Sequence, residues 1–251
     1  MRIQSLILRL IAMGTACLLV SCIDGREEVW LNADGSGRSD VTYSIPALAA
    51  NFHGGENGVR KMLAEFLGKT PALKNPTCEV TSTDERMTIR VQASFDSALE
   101  LKDISKCESV GKMPSSATCL IGSTCVSLNG RTVDFSRTID AGSALPGSSF
   151  MPVTQFEGHR LSYIIHLPQA AMESNATRID NGGRTLVWDF PLAQAITGPV
   201  TTSFKAKVPI PWWVLASAGA FTIAAGALVF FVYVRSHGQG HSSPRGQRAA
   251  K

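Results

Sequence analysis

Hydrophobic and polar positions alternate with a period of two over residues 86–95, where Met87, Ile89, Val91, Ala93 and Phe95 are interleaved with Thr88, Arg90, Gln92 and Ser94. That pattern predicts a β-strand with one face in a core and the other in water. Strand composition also falls on 28–32, 40–45, 131–139 and 160–167, the last with Leu161, Tyr163, Ile165 and Leu167 as its inward set. Further strands are predicted at 176–179 and at 185–190, where Leu186, Trp188 and Phe190 point one way, and a final one carries Val200, Phe204 and Val208. Two turns stand out: Asn32-Ala33-Asp34-Gly35-Ser36-Gly37 and Asp180-Asn181-Gly182-Gly183 supply the positive φ and local side-chain hydrogen bonds that hairpins require.

The period lengthens to that of a helix over 57–67, with Val59, Met62, Leu63, Phe66 and Leu67 on one face. Asn57 is the expected cap, Gly68 the expected end, and Pro71 blocks continuation. Ser97 and Glu100 form a capping box that predicts a second short helix to about Lys106, with Leu101 and Ile104 inward. The stretch 107–125 is rich in Ser, Thr, Gly and Pro without a period, which predicts a disulfide-bearing loop or irregular hairpin. The sum is an α+β domain, mostly antiparallel β-sheet of about seven to nine strands with about two packed helices.

Both ends change this picture. Residues 210–234 hold no charge and are long enough to cross a hydrocarbon core of about 30 Å, so they predict one C-terminal transmembrane helix. Trp212 and Trp213 at one end and Tyr233 with Arg235 at the other match interfacial flanks. The tail, 235–251, carries Arg235, Arg245, Arg248 and Lys251 and no acid, which places it in the cytoplasm. At the N-terminus, Arg2 and Arg9 precede the short apolar run 10–20, a signal-peptide core. The run ends in Leu19-Val20-Ser21-Cys22, which resembles the lipobox of bacterial lipoproteins; the resemblance implies cleavage after Ser21 and a diacylglyceryl group on Cys22. The expected organisation is therefore a lipoprotein signal peptide (1–21), an exported domain (22–209), a transmembrane helix (210–234) and a basic cytoplasmic tail (235–251). A lipid and a span together make attachment to the cytoplasmic membrane effectively permanent.

Charge and cysteine content follow from that topology. Two of the 24 basic residues leave with the signal and four lie in the tail, so the exported domain has 18 against all 20 acids, a net of −2. A slightly acidic domain without a basic run lacks the footprint of a nucleic-acid binder. Cys78, Cys107, Cys119 and Cys125 form an even set in an oxidising compartment, which predicts two disulfides. Three pairings are open; the preferred one joins Cys78 to Cys107 and Cys119 to Cys125. Zinc is the disfavoured alternative, because there is no Cys-x-x-Cys and no histidine nearby.

Candidate chemistry is sparse. His53, His159 and His166 show no ligand spacing, and His166 falls on the outward face of its strand. Glu27 and Glu28 are adjacent and so point to opposite faces. Asn32, Asp34, Ser36 and Gly37 match part of a calcium loop, but Tyr43 stands where its bidentate glutamate belongs. No nucleophile elbow, metal-binding His/Glu pair or phosphate-cradling glycine loop is present, so no catalytic residue, metal site or cofactor is expected beyond the lipid on Cys22.

The lipobox, the Asn32–Gly37 turn, the late hairpin Asn181-Gly182-Gly183 into Thr185-Leu186-Val187-Trp188, and one C-terminal span with a basic tail together resemble lipoproteins of the LppM-domain type. The resemblance implies an exported α+β domain that binds lipid or glycolipid and transfers no catalytic residues. The leading expectation is a membrane-tethered, non-enzymatic binding module with an apolar groove between layers. Val59, Met62, Phe66, Met87, Val91 and Trp188 are its candidate lining. The alternative is a structural or protein-interaction component of the envelope, for which Ala216, Ala220 and Ala224 offer a small-residue ridge to a partner helix.

Overall fold

The computed structural model describes residues 23–51, 54–101, 115–145, 148 and 151–208. Cys22, Cys107, His53, the leader, the 210–234 segment, the tail and most of the expected 97–106 helix lie outside the described residues. Among the described residues no helix is long and apolar enough to cross a membrane.

Eleven strands are described, in chain order β1 (Asp24–Leu31), β2 (Gly37–Pro46), β3 (Lys74–Ser82), β4 (Arg86–Phe95), β5 (Ser123–Asn129), β6 (Thr132–Ile139), β7 (Arg160–His166), β8 (Ala171–Ser174), β9 (Arg178–Asp180), β10 (Thr185–Pro191) and β11 (Val200–Lys207). They form a seven-stranded sheet in the order β3-β4-β2-β1-β7-β10-β9 and a four-stranded sheet in the order β5-β6-β11-β8. Every pair is antiparallel except β1 with β7, and the chain builds β2 to β6 before it returns to make that parallel pairing. The fold is α+β and mostly sheet, as the alternation predicts.

One face of the large sheet is covered in two ways. At its β3–β4 end lie α1 (Ala47–Asn51) and α2 (Gly55–Gly68), which bury Ala50 and Val59 against Val80 and Met87. At its β7–β10 end the four-stranded sheet packs across it, and Leu161, Tyr163, Leu186 and Trp188 meet Ile139, Val200 and Phe204 in the larger core. Shorter helices, α3 (Ser115–Ile121), α4 (Ala141–Ala144) and α5 (Leu192–Ala195), close the margins.

Local chemistry explains most boundaries. In the first hairpin Ser36 N–H and Oγ both donate to Asp34 Oδ1, at 3.0 and 2.7 Å, and Gly35 takes φ 86°. The second hairpin places Asn181, Gly182 and Gly183 at φ 53°, 64° and 88°. The α2 helix starts two residues before the expected cap: Gly54, at φ 84°, holds the N-cap, and Asn57 lies in the first turn. Ser97 does cap a turn, its Oγ accepting from Leu99 N–H at 3.3 Å.

Three expectations are corrected. The 107–125 stretch is not a disulfide-bearing loop throughout, because α3 and β5 occupy 115–129 and backbone pairing of β5 to β6 holds them without a staple. Cys78, Cys119 and Cys125 carry free thiols, so the preferred Cys119–Cys125 bridge is not formed; the partner proposed for Cys78 lies outside the described residues. Partial burial raises the Cys78 thiol above its usual range, which disfavours the reactive thiolate. Finally, the strand expected at 176–179 is the short β9 at Arg178–Asp180, and a further strand, β8, precedes it at Ala171–Ser174 in the other sheet. Asn175 makes the crossing: its Oδ1 accepts from Trp188 Nε1 at 2.7 Å and Ser203 N–H at 2.8 Å, and its Nδ2 donates to the Thr201 carbonyl at 2.8 Å.

Candidate functional site

Alternation along β1 sends Glu27 inward and Glu28 outward, and each is the centre of a different polar cluster. Inward, Arg137 of β6 grips Glu27 with both arms, Nη1 to Oε2 at 2.5 Å and Nη2 to Oε1 at 3.1 Å, and Tyr43 donates to Glu27 Oε1 at 2.5 Å. Arg137 also donates to the carbonyls of Ile121 at 2.9 Å and Leu120 at 3.0 Å, and its guanidinium lies 5.3 Å from the Tyr163 ring centre. Burial alone would lower the Arg137 pKa, but the Glu27 carboxylate outweighs it and holds the guanidinium charged. Burial, then the same carboxylate, raises Tyr43 well above the ordinary phenol range. This cluster joins the two sheets and lies away from the surface.

Outward, the face of the large sheet opposite both cores carries the other cluster. The row Arg38, Trp30, His166, Thr185 runs across β2, β1, β7 and β10 in register. The indole is sandwiched: Arg38 lies 4.2 Å from its centroid, and the His166 ring stacks at 5.2 Å with a 7° interplanar angle. His166 Nε2 is 2.8 Å from Glu28 Oε1, its Nδ1 is 3.2 Å from Thr185 Oγ1, and Asn181 Nδ2 donates to Thr185 Oγ1 at 2.8 Å. A carboxylate only accepts, so Nε2 carries a proton; in the neutral ring Nδ1 then accepts from Thr185. Arg26 donates to Glu28 from the other side at 2.6 Å. Partial burial raises the Glu28 pKa, but the bonds from His166 and Arg26 outweigh it and hold the carboxyl below its usual range. The adjoining row places buried Ile164 and Val187 beside Glu28 and Asp40, outside both core clusters. At the corner of the face, His166, Leu167, Asn181, Arg184 and Thr185 line a shallow depression of about 190 Å³.

The rest of this face is an ion-pair lattice with a pH signature. Hydrogen bonds from Arg90 chiefly, and Gln92 further, hold Asp40 below the carboxylate range against the opposing effect of burial; Arg160 chiefly, with Ser162, does the same for Asp189. Carboxylates with lowered folded-state pKa stabilise the fold above the ordinary range near 4, and that share is lost as pH falls through it. The Asp40→Asn variant is therefore about 0.5 kcal/mol less stable than wild type at pH 7, the size of a partly exposed pair, and the gap closes toward pH 2. Urea unfolding at pH 7, 4 and 2 measures it; a gap that stays constant with pH contradicts the assignment.

The sequence-based candidates are distributed differently from expectation. The six proposed groove residues are not brought together: Val59 and Met87 are buried under α2, Trp188 is at the centre of the other core, and Met62, Phe66 and Val91 belong to neither cluster. His166 is on the outward face as predicted, but it is half-buried and bonded at both nitrogens. His159 Nδ1 lies 2.9 Å from Asp24 Oδ2, and Asp24 also receives Arg86 Nη2 at 2.9 Å and the Arg160 N–H at 3.1 Å. Trp30, Arg38 and Arg184 were missed. Trp30 and Arg38 do occupy outward positions of the first hairpin, but their juxtaposition with His166 depends on a pairing 136 residues apart in the chain.

No family model matches the chain, and no curated protein does. Among solved structures the chain is similar to the folded domain of the Mycobacterium tuberculosis LppM protein, determined by NMR, with 14% identity over 76% of this chain and 93% of that one and a TM-score of 0.48. It is also similar, more distantly, to the Fcho1 Mu homology domain of Danio rerio with a bound Eps15 peptide, with 13% identity over 76% of this chain and 81% of that one and a TM-score of 0.26.

Proposed function

We propose that this chain is a bacterial cell-envelope lipoprotein, acylated at Cys22 and spanning the cytoplasmic membrane through 210–234, whose exported domain is a non-enzymatic module that binds the polar head of a lipid or glycolipid. The observation that carries this reading is the outward row Arg38-Trp30-His166-Thr185 with the depression at its end. A half-buried aromatic flanked by the Arg38 guanidinium and by hydrogen-bonding groups suits a headgroup, whereas of the apolar residues expected to hold an acyl chain Val59, Met87 and Trp188 are taken up by the two cores. Ile23, the residue after the proposed acylation site, is itself packed in the larger core.

The test uses the full-length chain, solubilised from its own membranes in a non-ionic detergent, gel-filtered and organically extracted for mass spectrometry. The expected result is a diacylglyceryl adduct that disappears in Cys22→Ser, and about one additional lipid per chain that is lost in Arg38→Gln and in Trp30→Leu, with circular dichroism confirming that both fold. Wild type free of bound lipid, or folded variants that retain it fully, would overturn the binding reading.

A further inference from the structure

The depression at the corner of the outward face has a chemical bias that its neighbours lack. Its lining includes a guanidinium, an imidazole, an amide and a hydroxyl, with Leu167 as the apolar residue, and no carboxylate. The acids around it are already engaged: Glu28 by Arg26 and His166, Asp180 by Arg178 at 2.8 Å, and Asp189 by Arg160 at 2.6 Å. Arg184 differs. Its Nε donates to the Asn181 carbonyl at 3.3 Å, and among the described residues it has no acid partner. Both terminal nitrogens of that exposed guanidinium are therefore open to a ligand, as is the second N–H of the Asn181 amide, whose first reaches Thr185.

The β9–β10 turn fixes this arrangement. Three consecutive left-handed residues, Asn181, Gly182 and Gly183, carry the chain over the end of the sheet, and Leu167 N–H donates to the Arg184 carbonyl at 2.7 Å, which ties the turn to the end of β7. A Cβ at Gly183 would come within 2.9 Å of the Ala170 side chain, so the turn and the β7–β8 connection approach closely only because that residue is glycine. The donors thus sit in a short turn tied to the end of β7.

We infer that this depression is a subsite for a phosphate group, held by the Arg184 guanidinium and the Asn181 amide beside His166. The inference rests on the headgroup reading above and specifies which part of the headgroup is recognised. A forked guanidinium with a neighbouring amide donor matches an oxyanion with several acceptor oxygens. A neutral sugar would leave the excess positive charge at Arg184 unanswered. The phosphate can come from a lipid headgroup or from solution, and the two sources are separable by experiment.

Full-length protein in a phosphate-free, non-ionic detergent is titrated with inorganic phosphate, with dioctanoyl phosphatidylglycerol and with a neutral dioctanoyl galactosylglycerol. Binding is read from phosphorus line broadening and from the His166 side-chain resonances. Arg184→Gln is compared with Lys61→Gln, an equal charge change on the exposed side of α2. The expected result is saturable binding of the phosphate-bearing probes, weakened about tenfold or more by Arg184→Gln and unchanged by Lys61→Gln, the loss that follows from deleting a charge-assisted contact. Binding of the phospholipid alone identifies a headgroup as the source; binding of inorganic phosphate as well shows that the free ion is accepted. Equal binding of galactolipid and phospholipid, or an Arg184→Gln variant indistinguishable from wild type, overturns the phosphate assignment and leaves the headgroup reading in place. Failure of all three probes overturns both.

Discussion

Replacing Glu27 with alanine costs the domain about 3–5 kcal/mol, because it strands the Arg137 guanidinium between two sheets without its carboxylate. Both side chains are largely buried, at 12% and 17% relative exposure, so solvent does little to replace the lost partner. The Leu120 and Ile121 carbonyls still receive hydrogen bonds, but they do not neutralise a charge. The effect belongs to the unpaired ion rather than to the pair as such. The double variant Glu27→Leu with Arg137→Met should therefore recover most of the loss, since well-packed apolar groups of similar size replace a buried pair at little cost. Chemical denaturation of the full-length protein in detergent, followed by circular dichroism, distinguishes the cases. A double variant as unstable as Glu27→Ala would show that the contact geometry, not the buried charge, is what matters.

Trp188→Ala is expected to cost a similar amount, about 3–5 kcal/mol, for a different reason. Trp188 is 1% exposed, paired with Tyr163 on β7, and packed where the two sheets meet. Truncation opens a cavity and also removes the indole N–H from Asn175 Oδ1, which loses one of the bonds that carry the chain from the small sheet to the large one. Trp188→Phe keeps much of the volume but not the donor, and should cost about 1–2 kcal/mol, close to the value of one buried hydrogen bond with some packing loss. Leu128→Ala, at a position 53% exposed on β5, serves as the reference and should stay within about 0.5 kcal/mol of wild type. If alanine and phenylalanine at 188 behave alike, the hydrogen bond to Asn175 rather than the volume dominates that site.

These two variants probe what holds the outward face in place without touching it. The row Arg38-Trp30-His166-Thr185 is assembled from four strands, and its spacing depends on the packing beneath β1, β7 and β10. Loss of lipid retention in a destabilised Glu27 or Trp188 variant therefore reports on the scaffold. Loss in Arg184→Gln, an exposed change, reports on the ligand.

Strand positions were largely legible because alternation is a local property: β4 was bounded correctly at Arg86 and Phe95, and both glycine-rich turns were placed from residues that need positive φ. The edge strand β3 was not, since only Val80 of its nine residues is buried and a bulge between Lys74 and Thr77 breaks what pattern remains. β5 was hidden for the same reason, with four serines, threonines and asparagines in seven residues and an exposed leucine. Opposite orientations of Glu27 and Glu28 followed from strand geometry, but their partners did not, because Arg137 and His166 lie 110 and 138 residues away. Along this chain, then, the amino-acid order alone determined where the strands with one buried face extend, where the two glycine-rich hairpins turn and which side chains of those strands share a face. The division into two sheets, the parallel contact of β1 with β7, and the meeting of Trp30, His166 and Arg184 at one corner were decided only in the tertiary structure. Those pairings are chosen by which faces can be buried together, and distant strands with similar local patterns compete for them on equal terms until the cores close.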